Sequence, residues 1–132
     1  MSKINILIVE DTPDLLPRLH DDLLKHAVRV DAARDGFAAL CAVQQRHYYL
    51  ALVKSQVAGL SGVFVAKQLR KHNPELQVIL VCPTPLSLLN THRCREHGFW
   101  ICNTPHNPHI LLHTVRRIYE QTFLNQTDDH QT

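Results

Sequence analysis

Two kinds of apolar patterning alternate along the chain. The run INILIV (residues 4–9) is short, rich in β-branched residues and nearly free of polar ones, as in a strand buried on both faces. EDTPD breaks it. Thr12 or Asp14 can then cap a helix, with Pro13 or Pro17 tolerated in the first turn, and Leu15, Leu16, Leu19, Leu23 and Leu24 recur at helical spacing. VRVDAA (28–33) predicts a second strand. DGFAALCAVQQRH (35–47) predicts a second helix, with Phe37, Leu40, Cys41 and Gln44 on one face. YLALV (49–53) reads as a third strand. GVFVAKQLRKH (62–72) reads as a third helix, stopped near Asn73-Pro74. LQVILV (76–81) and FWIC (99–102) are the fourth and fifth strands. They flank a fourth helix over 85–98 that ends at Gly98. A last helix is expected over 107–124, and the closing residues are polar.

Five strand–helix units in succession predict an α/β fold, a doubly wound five-stranded parallel sheet of flavodoxin-like type with helices on both faces. Residues 1–122 form that domain and residues 123–132 a polar tail or linker. In such sheets the chemistry lies just past the carboxyl ends of the strands. The residues there are Glu10 and Asp11, Lys54 and Ser55, Cys82, Pro83 and Thr84, and Asn103 and Thr104.

Composition narrows the classes. A chain of 132 residues with 45% apolar content is ordinary for one globular domain. No apolar run approaches the roughly 20 residues of a membrane span, and a cytoplasmic location is the expectation. Cys41, Cys82, Cys94 and Cys102 form no close sequence pair, so thiols filling the core are expected. Charge is almost balanced: 14 basic minus 12 acidic residues gives +2. With no helix-turn-helix signature, direct nucleic-acid reading is not expected. The ten histidines are the oddity, since full protonation would carry the charge to +12.

ILIVEDTPDLL, LALVKSQVAGLSG and VILVCPTP together resemble response-regulator receiver domains, over residues 4 to about 122. The resemblance implies an acidic pair that holds Mg²⁺, here Glu10 and Asp11, and a phosphoacceptor aspartate at the tip of the third strand. In this chain that position is Lys54. The hydroxyl position after the fourth strand is Cys82, the lysine position after the fifth is Thr104, and the aromatic switch position is Ile101. An ammonium cannot replace a carboxylate nucleophile, and it repels the divalent ion that phosphoryl transfer requires. Strand alternation turns Ser55 to the other face. The expectation is that Lys54 pairs with Glu10 and Asp11 and occupies the place of the metal.

The function that follows is a degenerate receiver. It would be a non-enzymatic, phosphorylation-independent module that needs no cofactor and acts through protein contacts, as the N-terminal part of a longer regulator. The resemblance implies a partner or homodimer contact through the fourth helix, fifth strand and fifth helix, where Arg93, Arg95, His109, His113 and Arg116 fall. The alternative is a metal- or pH-responsive sensor built on His92, Cys94 and His97 or on His106, His109 and His113, the last two at i, i+4. Cys82 as a nucleophile has no acid or histidine placed by the motif to activate it.

Overall fold

The computed structural model describes residues 4–15, 17, 28–82, 94–102, 113–117 and 120. The main sheet contains β1 (Ile4–Val9), β2 (Val28–Ala33), β3 (Leu50–Lys54), β6 (Gln77–Val81) and β7 (Trp100–Cys102). A two-stranded ribbon, β4 (Gln56–Val57) and β5 (Leu60–Ser61), follows β3 directly. Between the strands run α1 (Gly36–Gln45) and α2 (Gly62–His72). The main sheet is parallel throughout, in the order β2-β1-β3-β6-β7. The chain first steps outward from β1 to β2, then returns past β1 to β3. This reversal opens a crevice at the carboxyl ends of β1 and β3.

Strand alternation divides the core into two layers. On one face Leu7, Val9, Ala51, Val53, Val78 and Leu80 pack against Ala39 and Val43 of α1 and Val65, Ala66 and Leu69 of α2. On the other, Ile6, Ile8, Leu50, Leu52, Ile79 and Val81 pack with Leu15, Cys102 and the half-buried Val115. Leu15 and Pro17 are helical, as are residues 113–117 and 120, so helices cover both faces as the doubly wound reading requires. The rest of the expected first, fourth and last helices lies outside the described residues. Among the described residues no helix is long and apolar enough to cross a membrane.

The face grouped in the second helix divides in the structure, with Leu40 packed partly buried against the core and Phe37 turned outward. Phe37 is 77% exposed, and the residues of α1 that are buried are Ala39 and Val43. The start of α1 lies against α2: a Cβ on Gly36 would make ordinary contact with Val65 Cγ2 at 3.4 Å. The small Ala39 and the β-branched Val43 face the sheet. The limits of α2 match the expected ones. Ser61 caps its start, and Asn73 caps its end while its buried side-chain amide donates to the Tyr48 carbonyl at 2.8 Å. The stretch after β3 is a tight hairpin in which Ala58 (φ 48°) and Gly59 (φ 84°) both take left-handed backbone. Positive φ at both central residues is the type I′ pattern that matches strand twist.

A candidate phosphoacceptor-type pocket closed by its own chain

The crevice at the switch point gathers Glu10, Asp11 and Asp14 from the end of β1 and Lys54 from the tip of β3. Glu10 is buried, and its Oε1 accepts hydrogen bonds from the backbone N–H of Asp14 (3.0 Å) and Leu15 (2.8 Å). It serves as an acceptor for the first turn of the helix that starts there, satisfying donors that have no helical partner. Asp11 is exposed and reaches sideways. Its Oδ2 accepts the backbone N–H of Ala58, in the hairpin after β3, at 3.2 Å. Lys54 Nζ lies 3.3 Å from Asp14 Oδ2, with the two side chains 23% and 29% exposed.

The expected partners of Lys54 are thus corrected. The salt bridge goes to Asp14, a helical turn beyond Asp11, while Asp11 binds the hairpin and Glu10 binds the helix start. A strand tip projects a long side chain past the acidic pair, and Asp14 is the carboxylate within its reach. The sequence carries the hint in EDTPD, since Asp11 and Asp14 at i, i+3 come to one side when a helix begins. Counting formal charges, three carboxylates and one ammonium leave −3 + 1 = −2.

The backbone around Lys54 is fixed tightly. Ser55 N–H donates to the Val81 carbonyl at 2.9 Å, and Gly62 N–H donates to the Ser55 carbonyl at 2.8 Å. A Cβ on Gly62 would collide with the Lys54 carbonyl oxygen, so the second glycine of the loop is dictated by close approach of α2 to the strand tip. Ser55 turns away from Lys54 and hydrogen-bonds the thiol of Cys82. Cys82 is buried, and its N–H donates to the Cys102 carbonyl at 2.9 Å. Burial, aided by the neighbouring Cys94 and Cys102 and opposed by the Ser55 hydrogen bond, pushes its thiol up to about 11. It is a core thiol and not an activated nucleophile.

Ile101 is half-buried, in register with Leu80, and packs against the core layer beneath α1 and α2. Thr104 lies outside the described residues, as do Arg93 and His109. Arg95, His113 and Arg116 are exposed. For the metal alternative, His92 and His106 also fall outside. Among the described residues there is no group of three or more His, Cys, Asp or Glu that could hold a metal ion.

A family model of the response regulator receiver domain matches residues 6–99. The chain belongs to that family. The Salmonella typhimurium transcriptional regulatory protein TctD is 31% identical over 78 residues, which are 59% of this chain and 35% of TctD. The receiver therefore matches about a third of that relative's length. Among solved structures, a CheY-like response regulator receiver domain from Methanospirillum hungatei superimposes with a TM-score of 0.81 at 23% identity, covering 91% of this chain and 96% of that one. The Thermotoga maritima response regulator TrrA, in complex with Mg²⁺ and BeF, gives a TM-score of 0.72 at 24% identity, covering 86% and 97%. These likenesses establish the receiver fold. The chain is thus a receiver domain, the signalling module of two-component response regulators.

Proposed function

We propose that this receiver is degenerate and signals through protein contacts without accepting a phosphoryl group. The observation that carries the reading is the ammonium of Lys54 at the tip of β3, 3.3 Å from Asp14 Oδ2. A phosphoacceptor there must be a carboxylate nucleophile, and an ammonium is neither nucleophilic in that sense nor tolerant of an adjacent divalent cation. The donor set does not fit Mg²⁺. Asp11 is engaged by Ala58, Glu10 by two backbone amides, and the family's third carboxylate is a cation. Cys82 offers no hydroxyl at the position that would contact a phosphoryl oxygen.

The domain then works as a fixed regulatory surface. Its partner would be a protein or a second copy, met through the expected face carrying Arg95, His113 and Arg116, and an output domain would follow in a longer, cytoplasmic regulator. The test is incubation with a small acyl phosphate and Mg²⁺, followed by intact-mass analysis. The protein should stay unmodified. A stoichiometric, acid-labile gain of one phosphoryl group would overturn the reading.

A further inference from the structure

The large hydrophobic residues exposed among the described ones are three: Phe37 (77%), Phe64 (50%) and Leu60 (44%). They come from three elements that meet at one place. Phe37 lies in the first turn of α1 and Phe64 in the first turn of α2, the two helices pack side by side, and Leu60 sits between them. A Cβ on Gly36 would lie 3.5 Å from Leu60 Cδ1. Below this apolar end the face turns basic. Lys67 and Lys71 continue the exposed stripe of α2 at i+3 and i+7 from Phe64, and His72 is exposed beside them. Neither α1 nor α2 contains an acidic residue. The outward stripe of α1, Phe37, Cys41 and Gln44, carries no charge.

We propose that the α1–α2 face docks an acidic amphipathic helix of a partner protein. Apolar anchors of that helix would cover Phe37, Leu60 and Phe64, and its carboxylates would meet Lys67 and Lys71. Along α2 the two lysines stand about 4.5 and 10.5 Å from Phe64, at 1.5 Å per residue. The partner's acids therefore follow its apolar anchors by one to two turns. Two exposed first-turn aromatics and a leucine offer an apolar patch of the kind that i, i+3 and i+4 side chains of a helix cover. The absence of acids on both helices selects a negative partner over a positive one. This face borders the pocket, since Leu60 belongs to the hairpin whose Ala58 donates to Asp11, but none of its residues pairs with Lys54, and the proposal holds whether or not the pocket accepts a phosphoryl group.

The probe is a fluorescein-labelled helical peptide with Leu and Phe at i, i+3, i+4 and i+7 and glutamates on its flanks, together with a copy in which each Glu is Lys. Binding is followed by polarisation, and the site is mapped by amide shifts in the folded 132-residue chain. The acidic peptide should bind saturably, shifting the amides of Phe37, Leu60, Phe64, Lys67 and Lys71. Lys67→Glu plus Lys71→Glu should weaken the acidic peptide about ten-fold or more and strengthen the basic one. Phe37→Ser plus Phe64→Ser should weaken both peptides, and Phe37→Ser alone should do so with no change in melting temperature, since Phe37 is 77% exposed whereas Phe64 is half covered. Absence of saturable binding, equal binding of the two peptides, or shifts on another face would overturn the proposal. So would concentration-dependent self-association lost in the Phe37→Ser, Phe64→Ser protein, because the occupant would then be a second copy.

Discussion

Replacing Lys54 by Met removes the ammonium but keeps most of the stem, so it isolates the charge. At 3.3 Å and an effective dielectric of 20, the pair with Asp14 attracts by about 5 kcal/mol before desolvation. Most of that is cancelled. Exposed pairs retain about 1 kcal/mol or less, whereas losing one partner of a buried pair costs about 3–5 kcal/mol. With both side chains roughly a quarter exposed, Lys54→Met should cost about 1–2 kcal/mol, a fall in melting temperature of about 3–8 °C for a domain of this size. Asp14→Asn should cost less, because the asparagine carbonyl can still accept from the ammonium, and the Lys54 side chain, 23% exposed, keeps contact with water. The double-mutant cycle of Lys54→Met and Asp14→Asn, measured by urea unfolding in chelator, should return a coupling of about 1 kcal/mol. The same cycle with Asp11→Asn should return less than the Asp14 cycle, since Asp11 is engaged with Ala58. Zero coupling to Asp14, with Lys54→Met as stable as the parent, would mean that the ammonium contributes nothing to closing the pocket.

Three further outcomes follow from local geometry. Ala58 holds positive φ where glycine is favoured, so Ala58→Gly should stabilise by up to about 1 kcal/mol in the same unfolding assay, provided its N–H keeps Asp11. Gly62→Ala should do the reverse and melt far lower, because the new Cβ meets the Lys54 carbonyl. Burial raises the Asp31 carboxyl, but the Tyr48 hydroxyl (2.6 Å) and the Arg29 and Arg46 guanidinium groups outweigh it and hold the carboxyl below its ordinary 3.8. A depressed carboxylate stabilises above its unfolded value and loses that contribution as pH falls through the folded one. The acid limb of stability tied to Asp31 should thus lie below pH 3.8 and move upward in Tyr48→Phe, read by melting temperature against pH.

The architecture was legible because burial dictated it. A strand covered on both faces must be largely apolar, and β1, β3 and β6 announced themselves in that way, whereas β2, at the sheet edge, carries Arg29 and Asp31. The C-terminal limit of α2 followed from Asn73-Pro74; in the structure the Ser61 side chain caps the start, and the Asn73 backbone N–H closes the end on the Leu69 carbonyl. What pattern could not reveal was which neighbour wins when two are near. Phe37 and Cys41 share one side of α1, yet the residues of α1 buried against the sheet are Ala39 and Val43. Asp14 escaped notice for a similar reason. The motif points to the acidic pair at the strand end, but the reach of a lysine side chain from the next strand tip settles which carboxylate it meets. The hairpin turn was hidden because Ala58 stands where glycine or asparagine would have signalled left-handed backbone.

The claim that the pocket's carboxylates are held by the chain's own donors is tested most directly by titrating Mg²⁺ into the folded protein and into Lys54→Asp while following backbone amide shifts. In the parent, the amides of Leu15 and Ala58, which donate to Glu10 and Asp11, should stay in place through millimolar Mg²⁺. In Lys54→Asp, with the acidic cluster rebuilt, the same two amides should shift saturably. Saturable shifts of Leu15 and Ala58 in the parent would contradict the account, since the pocket would then still be an open metal site.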